Sequence, residues 1–242
     1  VTKQKKDLNN IIYLNSIDEL SYIKKNYKYI EVGATTPLRQ FELFIKKYYS
    51  DFNIILKRYG SVQIRNVATI AGNIATASPI GDSLPLLLSL DASIVLESFD
   101  KKIILPLKNF FISYRKTRLK QGQFISSIRI PIFRKNIFKA YKISKRIDDD
   151  ISSVCASFNL AIVNNKITNI KIAYGGMAAI PKRAIYCEKM LLNTNFSEDI
   201  IIKAQKSLEK DFQPIDDMRA SKDYRIEIAK NLLTKCFAEI KK

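Results

Sequence analysis

The hydrophobic and polar positions of this chain change period along its length, and each change marks an element. "NSIDELSYIKKN" places Glu19 three residues after Ser16, the spacing of a capping box, and predicts a short helix. "YKYIEVGAT" alternates and reads as a strand. A second helix is expected to start at Thr36-Pro37, with proline in its first position and Leu38, Phe41, Phe44 and Ile45 on one face. "RNVATIAGNIATASPIGDSLP" (residues 65–85) breaks this rhythm and reads as about one strand and one turn. "GDSLPLLLSLDA" follows as a short buried helix. "SIVLESF" and "KKIILPL" then pair around Asp100, and "FISSIRIPIF" forms a strand closed by Pro131.

A second set of elements begins near Lys135. "NIFKAYKISKR" reads as a strand. "VCASFNLAIV" and "KITNIKIAYGG" are two more, joined at Asn164-Asn165, where asparagine tolerates positive φ. Phe158, Leu160 and Ile162 alternate onto one face. Two helices complete the pattern. One lies near Glu198–Phe212, with Ile201, Ala204 and Leu208 inward. The other runs from about Lys222, capped by Ser221, with Tyr224, Ile228, Leu232 and Phe237 inward. The expected fold is α+β: a mixed unit over 1–131, then an antiparallel sheet with helices on one face over 135–242.

Composition narrows the chemistry. The 242 residues suffice for one large or two small domains, and 47% are hydrophobic. Apolar runs such as "LPLLLSL" are too short for a membrane span, and no apolar segment follows the charged start, so no signal peptide is read. The chain contains no histidine, which excludes Ser-His-Asp and Cys-His nucleophiles. The three cysteines, Cys155, Cys187 and Cys236, are far apart, so neither a zinc site nor an iron–sulfur cluster is expected within the chain. Sparse, odd thiols fit a reducing, cytoplasmic setting. The formal charge of +18 comes from scattered lysines without a basic block, so it reads as composition rather than as a nucleic-acid footprint.

What chemistry there is concentrates in residues 65–85. Gly72 opens the backbone to close approach, Asn73 and Thr76 donate and accept at short range, and Asp82 accepts from hydroxyls. These suit a polar ligand carrying phosphates, hydroxyls and a heteroaromatic edge. The same small residues equally suit a bulged strand and turn packed tightly. Neither GxxxxGK[ST] nor GxGxxG is present.

"RNVATIAGNIATASPIGDSLPLLLSLDA" resembles the flavin-binding motif of the FAD domain of xanthine dehydrogenase, in the molybdenum hydroxylase family, with Ala71 where the first glycine of that motif stands. "FFISYRKTRLKQGQFISSIRIP", "FKAYKISKRIDDDIS", "IAYGGMA" and "DYRIEIAKNLLTKCF" resemble further segments of the same family, in the same order. The resemblance implies a VAO-type FAD-binding subdomain over 1–131. A domain like the C-terminal one of CO dehydrogenase flavoproteins would follow over 135–242. It implies that Tyr59, Ile70, Gly72, Asn73, Thr76, Asp82, Phe124, Ile125 and Lys142 meet FAD. Tyr114, Arg146 and Asp149 would lie near an NAD+ site, with Lys142 or Arg146 favouring an anionic reduced ring.

The implied activity is electron transfer from iron–sulfur clusters through FAD to NAD+ in purine oxidation. Molybdopterin and [2Fe-2S] would reside in a large subunit and an iron–sulfur domain outside the chain. The family's glycine-containing diphosphate loop is expected before "VTKQ", so the chain reads as N-terminally truncated and is expected to bind FAD weakly or not at all. Two other readings stand beside this one: a non-catalytic remnant that no longer binds FAD, and a basic nucleic-acid-binding module.

Overall fold

Two antiparallel sheets and the helices wedged between and behind them make up the computed structural model, which describes residues 11–241. The first sheet contains β1 (Ile23–Lys25), β2 (Tyr29–Gly33), β3 (Ser93–Glu97), β4 (Lys102–Pro106) and β7 (Phe124–Pro131). Its order is β1-β2-β7-β3-β4. Five helices lie between β2 and β3 in sequence: α1 (Leu38–Ile45), α2 (Ser50–Lys57), α3 (Val62–Val67), α4 (Ile70–Thr76) and α5 (Ser83–Ser89). A two-stranded hairpin, β5 (Phe111–Ser113) and β6 (Lys116–Thr117), projects beside them. The second sheet, in the order β11-β10-β9-β8, contains β8 (Ile137–Ile143), β9 (Val154–Val163), β10 (Lys166–Gly175) and β11 (Lys182–Arg183). Helices α6 (Ile185–Leu191), α7 (Glu198–Asp211) and α8 (Lys222–Lys241) complete the chain.

The alternating segments form the strands expected of them. The β9–β10 hairpin turns at Asn164 (φ 49°) and Asn165 (φ 60°), both left-handed, as a two-residue loop between right-twisted strands requires. Helix α5 is buried at every residue. It packs against β9, β10 and α2, so the second sheet is covered on both faces: by α5 on one side and by α6–α8 on the other. Four polar groups register this contact. Ser89 Oγ lies 2.6 Å from Ser157 Oγ, Asn159 donates to the Ser89 carbonyl at 3.0 Å, and Asn136 donates to Asn159 at 2.9 Å. A buried polar pair of this kind fixes one docking position where an apolar surface alone would tolerate several.

Several sequence expectations are corrected. Residues 65–85 are not a strand: α3 and α4 occupy the first part, and a turn carries the chain into α5. Thr69 caps α4 by accepting from the Gly72 N–H at 3.0 Å, and that bond holds the backbone helical despite three β-branched residues. Ser16 and Glu19 form no capping box. They lie in successive 3-10 turns, Leu14–Ser16 and Asp18–Leu20, without side-chain caps. Pro37 is the extended residue before α1 rather than its first helical position. Tyr224 faces outward, and the inward position at that end of α8 belongs to Arg225, which is 2% exposed. Its guanidinium donates to the carbonyls of Ser153 and Gly176 and pairs with Asp217 at 2.7 Å. The short helix α6 was not expected from the pattern.

Candidate functional site

A cleft of about 660 Å³ opens between the α3–α4 corner and the loop that follows β8. Its position follows from local chemistry. The α3 helix has six residues and α4 seven, too few to be stable alone, so each is tied down by side chains. Ser61 caps α3 and Thr69 caps α4. Arg65 enters the protein from α3, pairs with buried Glu42 at 3.1 Å, and donates to the carbonyls of Lys57 and Gly60 at 2.9 and 2.5 Å. The segment carrying Tyr59 is therefore fixed from beneath.

Arg58 does the same for the opposite wall. Its guanidinium donates to the Ile147 and Lys142 carbonyls at 2.7 and 3.0 Å and to Ser144 Oγ at 3.1 Å. These three bonds hold the loop that presents Asp149, Asp150 and Ile151 at the cleft rim. Asp149 sits there at φ 49°, a left-handed conformation that aspartate tolerates.

Seven sequence-predicted residues meet at this cleft: Tyr59, Gly72, Asn73, Thr76, Asp82, Lys142 and Asp149. Their contacts differ from simple expectation. Lys142 reaches Asp82 at 2.7 Å with both side chains buried, and donates to the Arg58 carbonyl at 3.0 Å. Ser152 donates to the other Asp82 oxygen. The Asp82 carboxylate is thus already engaged, and the Lys142 charge has its counter-ion beside it. Asn73 donates to the Tyr59 hydroxyl at 2.9 Å and accepts from Ser83 at 2.6 Å. Thr76 donates to the Gly72 carbonyl at 2.8 Å, which leaves its oxygen facing outward as an acceptor. Burial first, then the neighbouring Asp82 charge, raises the pKa of Tyr59. Backbone N–H donation from Arg146 and Ile151 lowers that of Asp150. Cys155 lies beneath the Asp82 carbonyl with its thiol pushed well up by burial.

The remaining predicted residues lie elsewhere. Ile70 is buried in the core, as is Ile125, which pairs with Leu96 across the sheet. Phe124 stands opposite Glu97 on the same strand. Tyr114 is exposed on the β5–β6 turn, while its neighbour Arg115 lines the cleft. Arg146 is solvent-exposed and lies 3.7 Å from Asp150. Sequence reasoning missed Arg58, Arg65, Thr69, Ser83 and Ser152. Thr69, three residues before Gly72, carried a readable capping signal. The placement of half-buried Arg58 and buried Arg65 depends on carbonyls that only the fold assembles.

FAD fits the cleft on three observations. The volume lies within the range of small-molecule sites. A Cβ on Gly72 would meet one atom within 4 Å, Thr69 Oγ1 at 3.2 Å, and would otherwise project into open space. Val67, 71% exposed, and Ile64, 49% exposed, give the cleft an uncovered apolar wall facing its polar floor. That pairing suits a ligand with a flat ring and a polar chain.

Residues 1–133 match the family described as FAD binding domain in molybdopterin dehydrogenase. This chain belongs to that family. Residues 139–240 match the CO dehydrogenase flavoprotein C-terminal domain. Among curated relatives, the chain is 35% identical over 216 residues to a xanthine dehydrogenase of Emericella nidulans, covering 83% of this chain and 16% of that protein. It is 28% identical over 235 residues to the glyceraldehyde dehydrogenase medium chain of Sulfolobus acidocaldarius, covering 95% of this chain and 82% of that one. The chain thus spans about a sixth of the xanthine dehydrogenase and most of the medium chain.

Among solved structures, carbon monoxide dehydrogenase from Hydrogenophaga pseudoflava, in a form lacking the Mo-pyranopterin moiety, superposes with a TM-score of 0.86 at 23% identity. The match covers 91% of this chain and 78% of that one, and it shows the same fold. The chain is therefore an FAD-binding unit of the molybdenum hydroxylase type. Among the described residues, no helix is long and apolar enough to cross a membrane.

Proposed function

We propose that the cleft holds FAD and that this chain is the flavin unit of a xanthine dehydrogenase-like molybdenum hydroxylase. Molybdopterin and iron–sulfur clusters belong to partner domains or subunits, NAD+ is the electron acceptor, and a purine such as xanthine or hypoxanthine is the substrate oxidised elsewhere in the assembly. The observation that carries the FAD assignment is the open face of Gly72 between an apolar wall and a floor of short polar side chains. When bound, FAD supplies the redox exchange between an iron–sulfur relay and a nicotinamide. The chain's own residues bind and orient it. Gly72 admits close approach to the backbone, and Thr76 and Ser78 offer oxygens along the floor. Ile64 and Val67 cover apolar ring surface, and Asp149 stands at the rim. Tyr114 and Arg146, both exposed, stand beside rim residues and are candidates to meet the nicotinamide nucleotide.

Likeness to a xanthine dehydrogenase supports the choice of a purine, and NAD+ is the acceptor implied by the sequence resemblance alone. The remnant reading has no observation in its favour, since the cleft is lined as a binding site and its polar contacts are intact. Two anaerobic measurements test the proposal. Titration of the chain with FAD is expected to quench flavin fluorescence saturably at one site, and NADH is then expected to bleach the bound flavin. Absence of saturable binding contradicts the flavin assignment. Bound flavin that NADH leaves oxidised contradicts the choice of acceptor.

A further inference from the structure

The direction of one hydrogen-bond chain at the cleft assigns a role to Tyr59 that rests on the flavin reading and extends it. Ser83 is fully buried, and among the described residues its hydroxyl has one partner, Asn73 Oδ1, at 2.6 Å. Asn73 Nδ2 lies 2.9 Å from the Tyr59 hydroxyl oxygen. The lengths agree with this orientation of the amide, because O–H···O bonds centre on about 2.7–2.8 Å and N–H···O bonds on about 2.9–3.0 Å. Turning the amide over would aim an N–H at Ser83 and leave a buried hydroxyl hydrogen without an acceptor, which native interiors avoid. Ser83 therefore donates to Asn73, and Asn73 donates to Tyr59. The Tyr59 oxygen is an acceptor inside the protein, and among the described residues nothing accepts its own proton. The residue lines the cleft.

We propose that Ser83 and Asn73 set Tyr59 as a hydrogen-bond donor to an acceptor atom of the bound ligand, a carbonyl oxygen or an unprotonated ring nitrogen. The flavin and adenine rings both carry such atoms. Three features hold the donor in place. Arg65 fixes the carbonyls on either side of Tyr59, at Lys57 and Gly60, and Glu42 braces Arg65. Both Asp82 carboxylate oxygens are occupied, by Lys142 and Ser152, so this nearest carboxylate is engaged elsewhere. Burial and the nearby Asp82 charge raise the phenol's pKa further, so the hydroxyl carries its proton. Ser83 and Asn73 act on the ligand through Tyr59 and are positioning residues in this respect.

The test compares the full chain with Tyr59→Phe and Ser83→Ala. FAD titrations are expected to show about tenfold weaker binding and a shifted flavin absorption band in Tyr59→Phe, the size of one lost hydrogen bond. A smaller loss is expected in Ser83→Ala, where the amide is released to turn. In the ligand-free chain, the ¹³Cζ resonance of Tyr59 is identified by its disappearance in Tyr59→Phe. It is expected to move in Ser83→Ala, with circular dichroism unchanged. Equal FAD affinity and an identical flavin spectrum in Tyr59→Phe would overturn the donor role. A Tyr59 resonance that does not move in Ser83→Ala would overturn the relay. If the unaltered chain binds no FAD, the flavin reading fails instead, and the resonance alone then decides the direction of the chain.

Discussion

The cleft wall and the core behind the second sheet are built by opposite means. Behind the sheet, α7 and α8 run for 14 and 20 residues. Their Ile201, Leu208, Leu233 and Phe237 close over Phe158 and Tyr174. Aromatic rings meet edge-on, Phe158 with Tyr174 at 5.9 Å and Tyr174 with Phe212 at 5.2 Å. At the cleft, α3 and α4 are barely two turns each, and α3 turns Val62, Ile64 and Val67 outward. They are held by caps and by Arg65, while Arg58 braces the opposite wall through the carbonyls of Lys142 and Ile147. One region gains its stability from apolar burial. The other gains shape from hydrogen bonds and leaves apolar surface uncovered for a ligand. A site built this way depends on single polar contacts, whereas the core spreads its stability over many.

That contrast breaks most sharply at the buried pair. Asp82→Ala leaves the Lys142 ammonium buried without its counter-ion and is expected to cost about 3–5 kcal/mol in denaturant unfolding. Replacing both partners, as Asp82→Asn with Lys142→Met, should recover much of that loss, because no uncompensated charge is left behind. Leu208→Ala in the rear core should cost about 2–5 kcal/mol through a cavity, with FAD affinity per folded molecule unchanged. If Leu208→Ala weakened FAD binding as much as a cleft substitution does, the separation of the two regions would fail.

The smallest effect is at the edge of the rear region. Glu239 accepts from Tyr141 and pairs with Lys139 and Lys235, and these cations and hydrogen bonds hold its carboxyl at a pKa of about 2. Its folded pKa lies below the ordinary value of 4.5, so its contribution is present above that value and disappears as pH falls towards 2. The difference in melting temperature between the native chain and Glu239→Gln should therefore be full near neutrality and close between about pH 4.5 and 2. A difference independent of pH would contradict this.

The same contrast decides what was legible in the sequence. Strands whose two faces differ in character announced themselves even where both are covered: Phe124–Pro131 and Val154–Val163 alternate, and Asn164-Asn165 marked the hairpin between β9 and β10. The inward positions of α7 were equally readable, because 14 residues display the 3.6-residue period. Helix α4 was not. Seven residues span less than two periods, and Thr69, Ile70 and Ile74 imitate a strand until the Thr69 cap is counted. At the candidate site, the motif around Gly72 and Asn73 falls on one wall of the cleft. Ile70, Ile125 and Phe124 were assigned from resemblance alone, and the fold places the two isoleucines in its core and Phe124 on the sheet. Arg58 and Arg65 looked like two more cations in a basic chain. Only tertiary structure brings them to the carbonyls they hold.

Gly72 tests the central claim most directly. A Cβ there would press on Thr69 Oγ1 at 3.2 Å and otherwise meet open space, so a larger side chain enters the cleft rather than the core. FAD titrations of the native chain and Gly72→Val, with melting temperatures measured on both, separate binding from folding. The expected result is saturable one-site binding by the native chain, at least tenfold weaker binding by Gly72→Val, and melting temperatures within a few degrees. Equal FAD affinity in the two proteins would contradict the placement of the flavin in this cleft.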